Sequence, residues 1–179
     1  MQTVWCVRPW AIDWDGDGVV EYLTLNDKGI LTLYKRVPEE GKTAVKEWLS
    51  LRYEDNPPIK LDGTGEHEGR TKLHVAGWSG GGKWDILFGV NGNQLLSESI
   101  NEVFLFVLEN VGTNAQPSFC RPQVLCDSKG NRLKFGGHAA TPNLGYLYGE
   151  DSPILLVGAE DGRIYWFYRH KVFITSKRQ

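Results

Sequence analysis

The sequence WDGDGVVEYL at residues 14–23 recurs as WSGGGKWDIL at residues 78–87. The two segments align without a gap and share a Trp, two Gly, an acidic residue and a Leu at equivalent positions. In a weaker third copy, residues 147–158, only the final Leu-aliphatic-Gly aligns with residues 87–89. Internal repetition indicates a fold built from similar units, so it guides the interpretation of every other pattern in the chain.

Each copy contains a strand pattern, a turn rich in Gly and acidic residues, a second strand, a short Gly turn, a third strand and a less regular fourth. The predicted strands are residues 7–13, 20–25, 30–37 and 45–51, then 72–78, 84–90, 103–108 and 123–126, then 142–148, 154–158, 163–168 and 172–176. Residues 39–51 are also compatible with a helix. Four antiparallel strands per repeat are typical of a β-propeller blade.

We therefore predict an all-β protein made of about three four-stranded antiparallel blades. The chain forms one segment over residues 1–179, with repeats at about residues 4–60, 70–130 and 136–179. Two apolar strands support this prediction, VFLFVL at residues 103–108 and IYWFY at residues 164–168. Because side chains alternate between the faces of a strand, both strands are apolar on two faces and need cover on both, as between neighbouring blades.

Composition indicates a folded protein, since 41% of the 179 residues are hydrophobic and 23% are charged. The net charge of -2 gives no general reason to bind nucleic acid, and no apolar stretch approaches the roughly 20 residues of a membrane span. No secretory signal is visible at the start, so we expect either an intracellular protein or a chain without its native start. Cys120 and Cys126 could pair, but free thiols are favoured.

The turn after the first strand has the spacing of a cation-binding loop. Four carboxylates at loop positions 1, 3, 5 and 9 and one backbone carbonyl at position 7 are the candidate ligands: Asp13, Asp15, Asp17, Glu21 and Val19. Hard oxygen donors at this spacing, with Gly18 at the sharp turn, favour Ca²⁺. An EF-hand is excluded because Thr24 stands where its last Glu belongs and strands flank the loop. A solvated hairpin turn is the alternative interpretation.

The other two copies have lost these carboxylates. In the second copy the loop reads SGGG at residues 79–82, and Asp85 alone keeps an acidic position. In the third copy, Glu150 and Asp151 are out of register and Ile154 stands where the last acid belongs. The sequence therefore predicts one ion per chain.

The D-x-D-x-D-G loop with its following acid, together with ILLVGAEDGRIYWF at residues 154–167, resembles the FG-GAP or VCBS-type propeller repeat. The resemblance implies a closed propeller like those of secreted bacterial proteins, polysaccharide lyases and integrin heads, with mainly structural calcium ions. It also implies an extracellular or periplasmic location. Three blades do not close a ring, so we expect further blades from a longer parent chain or from a second copy of this chain.

The resemblance further implies a segment of a secreted carbohydrate-active protein, with a polysaccharide or glycan as partner. One hypothesis is a lyase-like enzyme acting on uronic-acid polymers, or its accessory domain. The other is a non-catalytic lectin-like or protein-interaction module. A lyase needs a base such as His or Tyr, and the candidates are His138 with Tyr146 or Tyr148. A packed or turn histidine is the alternative role for His138.

Overall fold

The computed structural model describes residues 8–61, 71–91, 95–96, 102–147, 149 and 151–175. The strands are β1 Trp10–Ile12, β2 Glu21–Leu25, β3 Leu31–Glu39, β4 Lys42–Ser50, β5 Lys72–Ala76, β6 Asp85–Asn91, β7 Glu102–Leu108, β8 Gln123–Cys126, β9 Lys134–Gly136, β10 Ala140–Gly145, β11 Ile154–Ala159, β12 Ile164–Tyr168 and β13 Phe173–Ile174. A 3-10 turn, Arg169–Lys171, follows β12. No helix in these ranges is long and apolar enough to span a membrane.

The strands pair into three antiparallel sheets. The first sheet holds β1 to β4 in chain order, and the third sheet holds β10 to β12 in chain order. The central sheet has the order β13-β8-β7-β6-β5. β9 pairs with the start of β7, residues 102–104, whereas β8 pairs with residues 106–107 farther along the same strand. None of these sheets, as far as the chain is described, closes into a barrel. The prediction of an all-β fold with antiparallel sheets is confirmed.

Two apolar clusters hold the sheets face to face. The first cluster joins Leu23 and Leu33 of the first sheet to Phe88 of the central sheet. The second cluster joins Leu105 of the central sheet to Leu155 of the third sheet. Full burial of such a side chain stabilises the fold by about 1.5–3 kcal/mol. The central sheet is therefore apolar on both faces and lies between the other two.

The two strands predicted to be covered on both faces behave differently. The run from Val103 to Leu108 in β7 is buried throughout, as predicted. In β12, Tyr165 packs against the second cluster, but Ile164 is 76% exposed and Trp166 is 54% exposed. The outer face of this strand is uncovered in the described structure because the third sheet is the last sheet of the stack, so its cover by a further blade stays a prediction.

The stretch at residues 39–51, which the sequence left open between helix and strand, contains β4 and pairs with β3. β9 is a strand that the sequence pattern does not predict. Cys120 and Cys126 are free thiols, so the disulfide that their spacing would allow is not formed.

The predicted fourth strand of the third copy forms β13, but it pairs with β8 of the central sheet and not with β12. The Arg169 guanidinium explains this change of direction. It donates a hydrogen bond of 2.9 Å to the Trp78 carbonyl and lies 3.5 Å from the centroid of the Trp78 ring. The Thr175 hydroxyl then donates to the Val124 carbonyl at 3.2 Å. These contacts return the chain to the central sheet.

The first strands of the three sheets meet, since β5 contacts both β1 and β10. His74 of β5 links them: its Nε2 accepts a 2.9 Å hydrogen bond from the Leu144 N–H, and its ring lies edge-on to Trp10 at 4.5 Å. The close approach also needs Gly89, because a Cβ there would lie 2.0 Å from the Ala140 carbonyl oxygen. The inner edges of the three sheets therefore share one packed region.

Candidate metal site

The Asp-rich turn connects β1 to β2 at one end of the first sheet, and Trp14 anchors it. The Trp14 side chain is 1% exposed, and its ring N–H donates a 2.8 Å hydrogen bond to the Asn114 carbonyl. The Trp14 carbonyl accepts a 3.1 Å hydrogen bond from the Trp84 ring N–H. The turn is therefore held against the core by its own Trp14 and by Trp84, which follows the equivalent turn of the second copy.

Backbone N–H groups fix two of the turn's carboxylates. Gly16 and Gly18 donate to the two oxygens of Asp13 at 2.8 and 3.0 Å. Both glycines have positive φ, 78° and 85°, a conformation that glycine adopts without steric strain. Trp14 donates its N–H to Glu21 Oε2 at 2.8 Å. The positions of Asp13 and Glu21 are thus set by the backbone of the turn.

Three of the predicted ligands converge. One carboxylate oxygen from each of Asp13, Asp15 and Glu21 lies within 4.8 Å of the others. Because calcium binds oxygens at about 2.3–2.6 Å, two ligands on opposite sides of one ion are about 4.6–5.2 Å apart. Asp13 is half-buried, Asp15 exposed and Glu21 buried. The cluster is therefore compact enough to share one cation and opens to solvent beside Asp15.

The other two predicted ligands lie at the rim of this cluster. Asp17 Oδ1 accepts a 2.8 Å hydrogen bond from the Val19 N–H. Its Oδ2 lies 3.7 Å from the Lys35 ammonium. The Val19 side chain is exposed. The roles of Asp17 and of the Val19 carbonyl as ligands stay predictions.

Lys35 reaches into the cluster from β3. Its ammonium lies 2.6 Å from Asp15 Oδ2 and 3.8 Å from Glu21 Oε1, and 4.0 Å from the centroid of the Trp48 ring. No local pattern in the sequence points to Lys35 as part of this site. The register of β2 with β3 pairs Tyr22 with Tyr34, so the next pair along the ladder brings Glu21 opposite Lys35. Knowledge of the hairpin register would have placed it there.

The pKa values of two carboxyl groups in the cluster are shifted in opposite directions. The hydrogen bond from Lys35 holds the pKa of Asp15 below its usual value. Burial raises the pKa of Glu21, although the Trp14 N–H and the Lys35 charge act in the opposite direction. The negative charge of Glu21 is therefore incompletely compensated, and a further cation in the cluster would stabilise it.

The equivalent turn of the second copy uses protein donors alone. Asp85, the counterpart of Glu21, is 0% exposed. Its Oδ2 accepts hydrogen bonds from the Ser79 N–H at 2.6 Å and the Ser79 hydroxyl at 2.7 Å, and its Oδ1 accepts from the Asn110 N–H at 2.8 Å. Both turns therefore have a buried carboxylate at the equivalent position, Glu21 and Asp85, but only the first turn has further carboxylates around it.

The catalytic candidates do not form a cluster in the described structure. His138 is exposed and precedes β10, whereas Tyr146 is 71% exposed and follows β10. At about 3.3 Å per residue, a strand of this length separates them by roughly 20 Å or more. Glu160 accepts a hydrogen bond from the His138 N–H, so the contact fixes the backbone and not the imidazole. Tyr148 lies outside the described residues.

Comparisons with known proteins add no assignment to this geometry. No protein-family model matches the chain, and searches of curated proteins and of solved structures found no significant similarity.

Proposed function

We propose that this chain is a calcium-stabilised, propeller-type module in which the turn between β1 and β2 holds the ion. The observation that carries the proposal is the convergence of Asp13, Asp15 and Glu21 within 4.8 Å. Asp17 and the Val19 carbonyl would complete the ligand set. The donors are all oxygens and mostly charged, which suits a hard cation such as Ca²⁺ better than a softer transition metal. The ion would neutralise the turn and fix it to the sheet.

The propeller-type arrangement is supported by how the sheets meet. Propeller blades are antiparallel sheets that pack face to face around a central channel. Here three antiparallel sheets stack in chain order, and β1, β5 and β10, the first strand of each, lie together. His74 contacts the other two sheets at this shared edge. We propose that further blades, from a longer parent chain or from a second copy, complete the arrangement.

Thermal unfolding in calcium and in chelator tests the metal proposal. At calcium about 100-fold above Kd, binding adds about 2.7 kcal/mol, which raises Tm by roughly 5–10 °C for a chain of this size. Asp15→Ala removes a ligand without removing a buried hydrogen bond, so we expect most of the calcium-dependent shift to disappear. Asp27→Ala, an exposed acid in the next turn, is the matched control and should keep the full shift.

Lys35→Met sharpens the test because the Lys35 ammonium occupies the same cluster. An exposed ion pair contributes about 0.2–1 kcal/mol, so its removal should lower the apparent Kd for calcium by up to about fivefold. Without calcium the variant should melt below the wild type. A melting curve that is the same in calcium and in chelator, for wild type and Lys35→Met alike, contradicts the metal proposal.

The carbohydrate role is a proposal carried by the sequence resemblance. We propose that the module belongs to a secreted carbohydrate-active protein, with a glycan as its partner. The separation of His138 from Tyr146 favours the non-catalytic, lectin-like alternative over a lyase. Incubation with uronate polysaccharides, followed by absorbance from new double bonds, distinguishes the two: product formation supports the lyase, and its absence with every polymer supports a binding module.

A further inference from the structure

A cavity of about 260 Å³ lies where the first strands of the three sheets meet. Its wall combines Arg8 and Trp10 at the first sheet, Lys72 of β5, and Thr141 and Asn143 of β10. Each sheet therefore contributes side chains to one small space.

The geometry behind this wall is fixed by His74. Its ring packs edge-on against Trp10, and its Nε2 accepts from the N–H of Leu144, the neighbour of Asn143. His74 is 6% exposed, and its own backbone follows directly after Lys72 and Leu73 in β5. The three segments that line the cavity are thus tied to one buried side chain, whereas the Arg8 side chain is exposed.

The cavity lining is rich in hydrogen-bond donors and includes a guanidinium. Arg8 carries positive charge, the Thr141 hydroxyl and Asn143 amide can donate, and neither Asp nor Glu is among the described residues that line it. Lys72 also lines the cavity and already has an interaction of its own within the chain. Guanidinium groups bind carboxylate and phosphate oxygens through charge-assisted hydrogen bonds. Thr141 and Asn143 are two apart in β10, so their side chains lie on the same face of that strand.

The size of the cavity limits the ligand. Pockets for drug-sized molecules are about 300–1,000 Å³, so this cavity suits a single small ligand or the end of a larger one. Trp10 and Leu73 give it an apolar wall beside the polar groups. We propose that the cavity at the meeting edge of the three sheets is a binding site for a small oxyanion, a carboxylate or phosphate group.

Isothermal titration calorimetry on the full chain tests this proposal with three probes: sodium glucuronate, inorganic phosphate and glucose. We expect an oxyanion to bind with a Kd that rises with NaCl, and glucose not to bind. Binding of glucuronate alone assigns a carboxylate, binding of phosphate alone assigns a phosphate, and binding of both assigns the shared oxyanion chemistry.

Substitutions locate the site. Arg8→Met and, as a second and uncharged variant, Asn143→Ala should each weaken binding, with at least about a tenfold loss for Arg8→Met. Arg163→Met removes the same charge from a side chain of the third sheet that is 75% exposed and outside the cavity, so its Kd should stay within about twofold of wild type. Circular dichroism establishes that each variant is folded.

Three results overturn the proposal: no binding of either anion, equal binding of glucose, or anion binding that is unchanged in both Arg8→Met and Asn143→Ala. The titrations do not depend on calcium, so a failed metal site leaves this test intact.

Discussion

His74 contacts the first and third sheets from within the central sheet, and its ionisation should therefore control the cohesion of the stack. Burial lowers its pKa from the usual value of 6.5, which keeps the imidazole neutral. Because the unfolded chain binds a proton more readily, the stability contributed by neutral His74 is complete above about pH 6.5 and is lost as the pH falls below it.

Urea unfolding between pH 7.5 and 5 checks this prediction. The wild type should lose stability relative to His74→Gln over this range, since Gln keeps an acceptor for the Leu144 N–H but does not titrate. His138→Gln, at an exposed histidine, should follow the wild-type profile. Parallel profiles for the wild type and His74→Gln would refute the role of His74.

Two equivalent turns, one in each of the first two sheets, should respond differently to loss of an acid. Asp85 is buried and accepts three hydrogen bonds, two of them from Ser79, which is exposed and can donate to water instead. Asp85→Ala therefore leaves the buried Asn110 N–H without an acceptor and should cost about 1–3 kcal/mol. Urea unfolding with and without calcium should give the same loss for Asp85→Ala, whereas Asp15→Ala should lose much more with calcium than without it, since only the Lys35 ion pair is lost in chelator. Asp85→Asn keeps one of the two oxygen acceptors and should lose less. A calcium-dependent loss in Asp85→Ala would contradict the distinction between the two turns.

The sequence predicts the elements whose cause is local. Apolar runs place β6 and β7, and Asp spacing brings Asp13, Asp15 and Glu21 together, because side-chain alternation and turn chemistry act over a few residues. Pairing partners depend on contacts far apart in sequence. The attachment of β13 to β8 follows from Arg169 meeting Trp78, which no local pattern encodes. The cavity is likewise invisible in sequence, since its lining comes from three separate strands.

At the scale of the whole molecule, the outer faces of the first and third sheets differ in exposure within the described part of the chain. In the first sheet, the cross-strand pair Thr24–Thr32 lies on the face opposite to Leu23, yet both side chains are 0% exposed. In the third sheet, Ile164 and Trp166 lie on the face opposite to Tyr165 and are exposed. The apolar face open to a further sheet is therefore that of the third sheet.

The outer face of the third sheet should consequently drive association of the isolated chain, because Ile164 and Trp166 expose apolar area that a further sheet would cover. Sedimentation equilibrium should show a mass above 20.2 kDa that rises with concentration. The double variant Ile164→Ser with Trp166→Ser should shift the particle to the single-chain mass, while Val111→Ser, an exposed apolar residue elsewhere, should not. If the wild type sediments as one chain at every concentration, this face is tolerated in water and the need for a further sheet to cover it disappears.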